Sequence, residues 1–221
     1  MKKLITLIFI SVFLSSPTFA QELSNIKENI MDSTTLKPAN MILATNLQKL
    51  LHQDEMNFNL VLKKQGSHNQ QPITLKRFEP EQTTHLGHQH ISFVIDKNSD
   101  MLLGFVRLLP KYIRSEQQVS KVVAFEITLN FLKNYAPDLL VNYKNSWIDT
   151  HDETIMVADK KITITGIKVK CRDLNTGSYF WTIIAPDQSV MVFERNIEWD
   201  FIRAGRQTQK WLHAQWLNKN L

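Results

Sequence analysis

Cysteine is nearly absent from this chain. Cys171 stands alone among 221 residues, so no internal disulfide can form and stability must come from a core. Glycine and proline are also scarce, six and seven residues spread along the sequence, which excludes collagen-like repeats, low-complexity tracts and a long flexible linker. Neither sign of charge dominates: 26 Lys and Arg face 21 Asp and Glu, for a net +5. If Lys2 and Lys3 leave with a leader, 26 − 2 = 24 basic residues face 21 acidic ones, and +3 is too weak a balance for a nucleic-acid binder. Beyond the first twenty residues there is no second long apolar run, so no transmembrane segment is expected in the mature chain. What remains, 43% hydrophobic and 21% charged, is an ordinary globular composition. About 200 residues can bury well over half of their surface without staples.

The first twenty residues carry an address. Lys2 and Lys3 form a positive start, Leu4 to Leu14 is almost wholly apolar, and Ser15 to Ala20 breaks the helix and ends in a small residue. About a dozen apolar residues are too few to span a bilayer but suit a signal peptide, so residues 1–20 are read as one, cleaved after Ala20. A periplasmic or secreted protein is expected. Residues 21–38 mix polar and apolar side chains and read as a flexible start, and residues 39–221 as one domain whose two halves would meet near 110–115.

Along that domain, Asn40 caps an expected helix from Met41 to Leu51. Asn57 to Lys64 and Ile73 to Phe78 read as strands around a loop at residues 65–71. Ile91, Phe93 and Ile95 alternate with Ser92 and Val94 ahead of the turn residues Asp96 to Asp100, and Met101 to Leu109 is strand-like again, which makes a hairpin. Ser115 with Gln118 matches a capping box, and Val119, Val122, Val123, Ile127, Phe131 and Leu132 form a stripe at helical spacing. That predicts a long central helix over 115–135. Three strands are expected after it: one from Ile162 to Cys171 with a bulge at Gly166, then Tyr179 to Ala185 and Val190 to Arg195. Gln207 to Leu217 reads as a short C-terminal helix. The expected fold class is α+β: an antiparallel or mixed sheet packed by one long central helix and a short C-terminal one.

The order of hairpin, capped helix and paired strands, carried by residues 90–96 with 101–107, 115–133 and 179–194, resembles the PepSY and FTP-type modules of secreted bacterial proteins and metalloprotease propeptides. That resemblance implies a noncatalytic module, inhibitory or peptide-binding. The stretch from Phe193 to His213 is similar to a recurring ending of exported proteins.

Sequence signatures of catalysis are missing: there is no His-Glu-x-x-His, no Gly-x-Ser-x-Gly, no Gly-x-Gly-x-x-Gly and no phosphate loop. Ser24-x-x-Lys27 lacks the companion elements of a serine-lysine site. The acidic run from Trp147 to Glu153 is read as a solvated loop rather than an acid–base site. His85, His88 and His90 cluster, and on a strand His88 and His90 would share the polar face, so that with His85 they could hold zinc or copper. Four of five tryptophans (Trp181, Trp199, Trp211, Trp216) follow residue 180, and residues 201–221 carry Arg203, Arg206, Lys210 and Lys219 with no acidic residue. Trp and Arg dominate interface hot spots, so Arg203, Arg206, Lys210, Trp211 and Trp216 form the candidate partner surface: the tryptophans hold the last helix and the cations face an acidic envelope protein or peptide. The expected function is an exported noncatalytic binding or regulatory module of the bacterial envelope. The alternative is a periplasmic metal-binding accessory protein using the histidines.

Overall fold

The computed structural model describes residue 50 and residues 58–80, 86–113, 118–158 and 160–221. The expected signal peptide, the 21–38 segment, most of the 41–51 helix, His85 and the capping box at Ser115 lie outside them. Eight strands form one antiparallel sheet: β1 (Asn59–His68), β2 (Gln71–Glu79), β3 (His90–Asp96), β4 (Leu102–Leu108), β5 (Tyr143–Val157), β6 (Lys160–Asp173), β7 (Tyr179–Ile184) and β8 (Val190–Ile197), in the order β1-β2-β3-β4-β8-β7-β6-β5. Each half is a meander, and the pairing of β4 with β8 joins them, with Phe105 opposite Phe193. Helix α1 (Lys121–Tyr135) carries the chain from β4 to the far edge strand β5. The hairpin β9 (Trp199–Asp200) and β10 (Gly205–Arg206) and helix α2 (Ala214–Asn220) complete the chain.

The α+β expectation is therefore corrected: the described residues are mainly β, an eight-stranded antiparallel sheet accompanied by the short helices α1 and α2. No helix organises it. The described helix starts at Lys121 rather than at 115, with Ser120 as its cap accepting from the Val123 amide at 3.2 Å. Its buried face is Ala124, Phe125, Thr128, Leu129, Phe131 and Leu132, rotated from the predicted stripe, and Val122, Val123 and Ile127 are only half-buried. α2 covers Ala214–Asn220 rather than 207–217.

Much of the missing β content is β5. Its Trp147 to Glu153 stretch is no loop but the middle of a 15-residue edge strand, where Asp149 lies opposite Lys168 and Trp147 opposite Lys170. The loop expected at 65–71 is also mostly strand. Asn69 and Gln70, both at positive φ, make a two-residue turn of the kind whose twist matches a hairpin. The expected bulge at Gly166 is absent, since pairing with β5 runs through it in register. The phase change in β6 arises because Ile164 packs on one face of the sheet and Ile167, Val169 and Cys171 on the other. Both faces are covered.

On one face α1 completes an apolar cluster with Phe93, Phe105 and Phe193, the Phe131 ring lying 5.2 Å from Phe193 and 6.4 Å from Phe105. Cys171 is buried there among hydrophobes. Arg195 ties this side together through a bidentate pair with Asp138, in the short turn after α1. The opposite face packs Ile73, Leu75, Val106, Ile183 and Val192 against Trp211, Leu212 and Leu217 from the end of the chain.

That second face is strongly curved. Five strand spacings separate β3 from β5, about 24 Å across a flat sheet. Yet the Met156 amide donates to the Gly87 carbonyl at 2.9 Å, and His88 bridges Met156. The sheet curls until the start of β3 meets the end of β5. Among the described residues no helix is long and apolar enough to cross a membrane.

Candidate functional site

The curl encloses a cavity of about 650 Å³ on the face opposite α1. Its wall draws on six strands: His90 (β3), Val106 and Leu108 (β4), His151 to Thr154 (β5), Lys168 (β6), Trp181 and Ile183 (β7), and Val192 and Glu194 (β8). The terminal segment closes it with Trp199, Arg206, Leu212 and His213.

Two close approaches seat that segment. The Trp211 ring lies where any side chain on Gly66 would stand, 2.3 Å from an ideal Cβ, and Leu212 leaves 2.8 Å at Gly104. Trp211 Nε1 donates to the Ser67 carbonyl at 3.0 Å, and Trp216 meets the Trp211 ring edge-on at 5.0 Å. The guanidinium of Arg206 fixes the turn before them, with Nε donating to Thr208 Oγ1 at 2.9 Å and Nη2 to the Gln209 carbonyl at 2.8 Å. Its Nη1 donates to Glu194 Oε1 at 2.7 Å, and both side chains are buried. Residues 201–221 hold no acid of their own, so Arg206 takes its carboxylate from β8. Burial pushes the Glu194 carboxyl up, but Arg206, with His213 3.5 Å away, overcomes this and holds it down to about 2.

Opposite this pair stands Lys168. Alternation along β6 sends Ile167, Val169 and Cys171 to the α1 face and Lys168 and Lys170 to the other. The Lys168 ammonium lies 4.0 Å from the centre of the Trp181 ring. Burial pushes it down to about 8; Glu194 and Glu153 raise it, and Lys170 and Arg206 lower it. No carboxylate among the described residues comes within ion-pair distance of it. The acids of the wall are engaged elsewhere: Glu153 with His151 at 3.1 Å, Asp152 with the Thr165 hydroxyl at 2.6 Å, Glu194 with Arg206.

His90 supplies the complementary group. Its Nδ1 lies 2.7 Å from the His88 carbonyl and so must carry the proton it donates. Burial, then the positive charge of Arg77, which is itself buried against Glu79, keeps the ring neutral, its pKa well below the ordinary histidine value. Nε2 is thereby left as a bare acceptor, buried and without a hydrogen-bond partner in the protein.

The expected residues thus separate. Arg206 and Lys210 line the cavity, Trp211 is core behind it, Trp216 packs on Trp211, and Arg203 sits 82% exposed at the tip of the β9–β10 hairpin beside exposed Phe201 and Ile202. Arg206 is a buried structural cation, not part of an exposed basic face. Nor do His88 and His90 share a solvated face: His90 is 2% exposed, and among the described residues no group of three His, Cys, Asp or Glu side chains is placed to hold a metal. Sequence reasoning missed Lys168, Glu194 and His213. The usable signal was Glu194, a carboxylate ending the apolar run Val190 to Phe193. Comparison with protein-family models, with curated proteins and with solved structures finds no match for this chain.

Proposed function

We propose that this chain is an exported, noncatalytic binding module of the bacterial envelope, and that the cavity between the curled sheet and the terminal segment is where it takes its ligand. Export rests on the leader-like first twenty residues. One observation carries the binding reading: a cavity of about 650 Å³, within the range of small-molecule sites, whose wall contains a half-buried ammonium with no counter-ion among the described residues. The acids of the wall are each held by a protein donor, which favours holding a ligand over transforming it.

A thermal-shift screen of small metabolites on the purified mature protein tests this. A true ligand at a hundredfold excess over its Kd stabilises by about 2.7 kcal/mol. Gln215→Trp and Lys210→Trp, both at exposed positions on the cavity wall, should abolish that shift while leaving the unliganded Tm unchanged. A shift that survives both variants places the ligand elsewhere, and turnover of a bound compound overturns the noncatalytic reading.

A further inference from the structure

We propose that the ligand is a hydroxylated organic acid, a small molecule with one carboxylate for the Lys168 ammonium and a hydroxyl hydrogen for the bare Nε2 of His90. This rests on the cavity being the binding site and names what it selects.

The two groups ask for opposite things. A half-buried ammonium lying on an aromatic ring, with no carboxylate among the described residues at ion-pair distance, is completed by an anion. The acids nearest to it in charge, Glu153 and Glu194, are already committed to His151 and Arg206. An imidazole nitrogen that must be an acceptor, buried in the same wall, is completed only by a donor, because a buried acceptor without one forfeits the hydrogen bond it would make in water. A carboxylate cannot supply that donor; a hydroxyl can. Both residues line one cavity, and its apolar side chains Val106, Ile183, Val192 and Leu212 suit a carbon skeleton.

The test is calorimetric titration of the mature protein with D-glucuronate and D-gluconate, against D-glucose, which has the hydroxyls without the charge, and hexanoate, which has the charge without the hydroxyls. At least one hydroxy acid should bind at least tenfold more tightly than either control. Lys168→Met should remove that preference over glucose. Affinity should fall about tenfold from pH 7 to 9.5, as the ammonium, flanked by Glu194, Glu153, Lys170 and Arg206, loses its proton. Because replacing buried His90 can unfold the protein, its role is read without mutation: the ¹⁵N resonance of Nε2 should move upfield on binding. An unmoved resonance, or hexanoate binding as well as the hydroxy acids, overturns the inference. If a neutral or cationic compound fills the cavity and is lost in Gln215→Trp, the binding reading stands and this one falls. If nothing in the screen or titrations depends on the cavity, both fall.

Discussion

The two faces of the sheet solve the same problem in opposite ways. Under α1, phenylalanines from β3, β4, β8 and the helix meet ring to ring, and the one hydroxyl pair, Thr128 with Thr182 at 2.6 Å, satisfies itself. On the other face the strands bury Arg77, Glu79, His90, Glu194 and the Arg206 side chain among the hydrophobes and half-bury Lys168. Charges cost free energy to bury, so the α1 face, where Arg195 is matched to Asp138, serves mainly to stabilise the fold, and the charged face equips it.

Breaking the aromatic face should have the largest effect. Phe193→Ala removes the ring that joins β8 to α1 and should cost about 3–5 kcal/mol in denaturant unfolding. On the charged face, Arg206→Met strands the Glu194 carboxylate and loosens the 206–209 turn, for about 3 kcal/mol. The double variant Arg206→Met/Glu194→Leu should recover part of that loss, which no second change at the aromatic face would do.

Acid should find the same difference. Glu194 has its folded value below the unfolded one, so its contribution is fully present above about pH 4.5 and is lost as the pH falls toward 2, about 2–3 kcal/mol in all. Lys168 has the same sign in a higher window: its folded value also lies below the unfolded 10.5, the unfolded chain holds the proton more tightly, and burying the charged form costs stability that returns as the pH rises from 8 to 10.5. Lys168→Met should accordingly leave the unliganded protein at least as stable as the parent while losing the ligand. Smallest of all is Arg203→Ser, on an exposed side chain 3.8 Å from Asp200, which should move stability by less than about 0.5 kcal/mol.

What the sequence made legible follows from which face a strand shows. The β3–β4 hairpin could be read because Asp96 announces its turn, its carboxylate accepting from the Asn98 and Ser99 amides. β5 could not, because an edge strand with much of its surface in water has no reason to alternate in hydrophobicity, and Asp149 and Glu153 mimic a loop. β6 was legible only in part: Lys168 and Lys170 alternate with Ile167, Val169 and Cys171 as in any amphipathic strand, and only the return of the chain end over their side makes Lys168 part of a cavity wall. His90 was assigned the polar face on the same reasoning. Enclosure is a long-range fact that local pattern does not encode.

The pairing of β4 with β8 also sets a timetable. β4 is complete by residue 108, but its second neighbour begins at residue 190, so a chain emerging from its N-terminal end carries an unsatisfied strand edge, Leu102 to Leu108, through most of its passage. The lid of the cavity comes later still. A nascent chain stopped before residue 190 would have neither the joined sheet nor the closed cavity, and would be sticky along that edge. A chain exported as proposed would therefore need its first meander protected until the last one arrives.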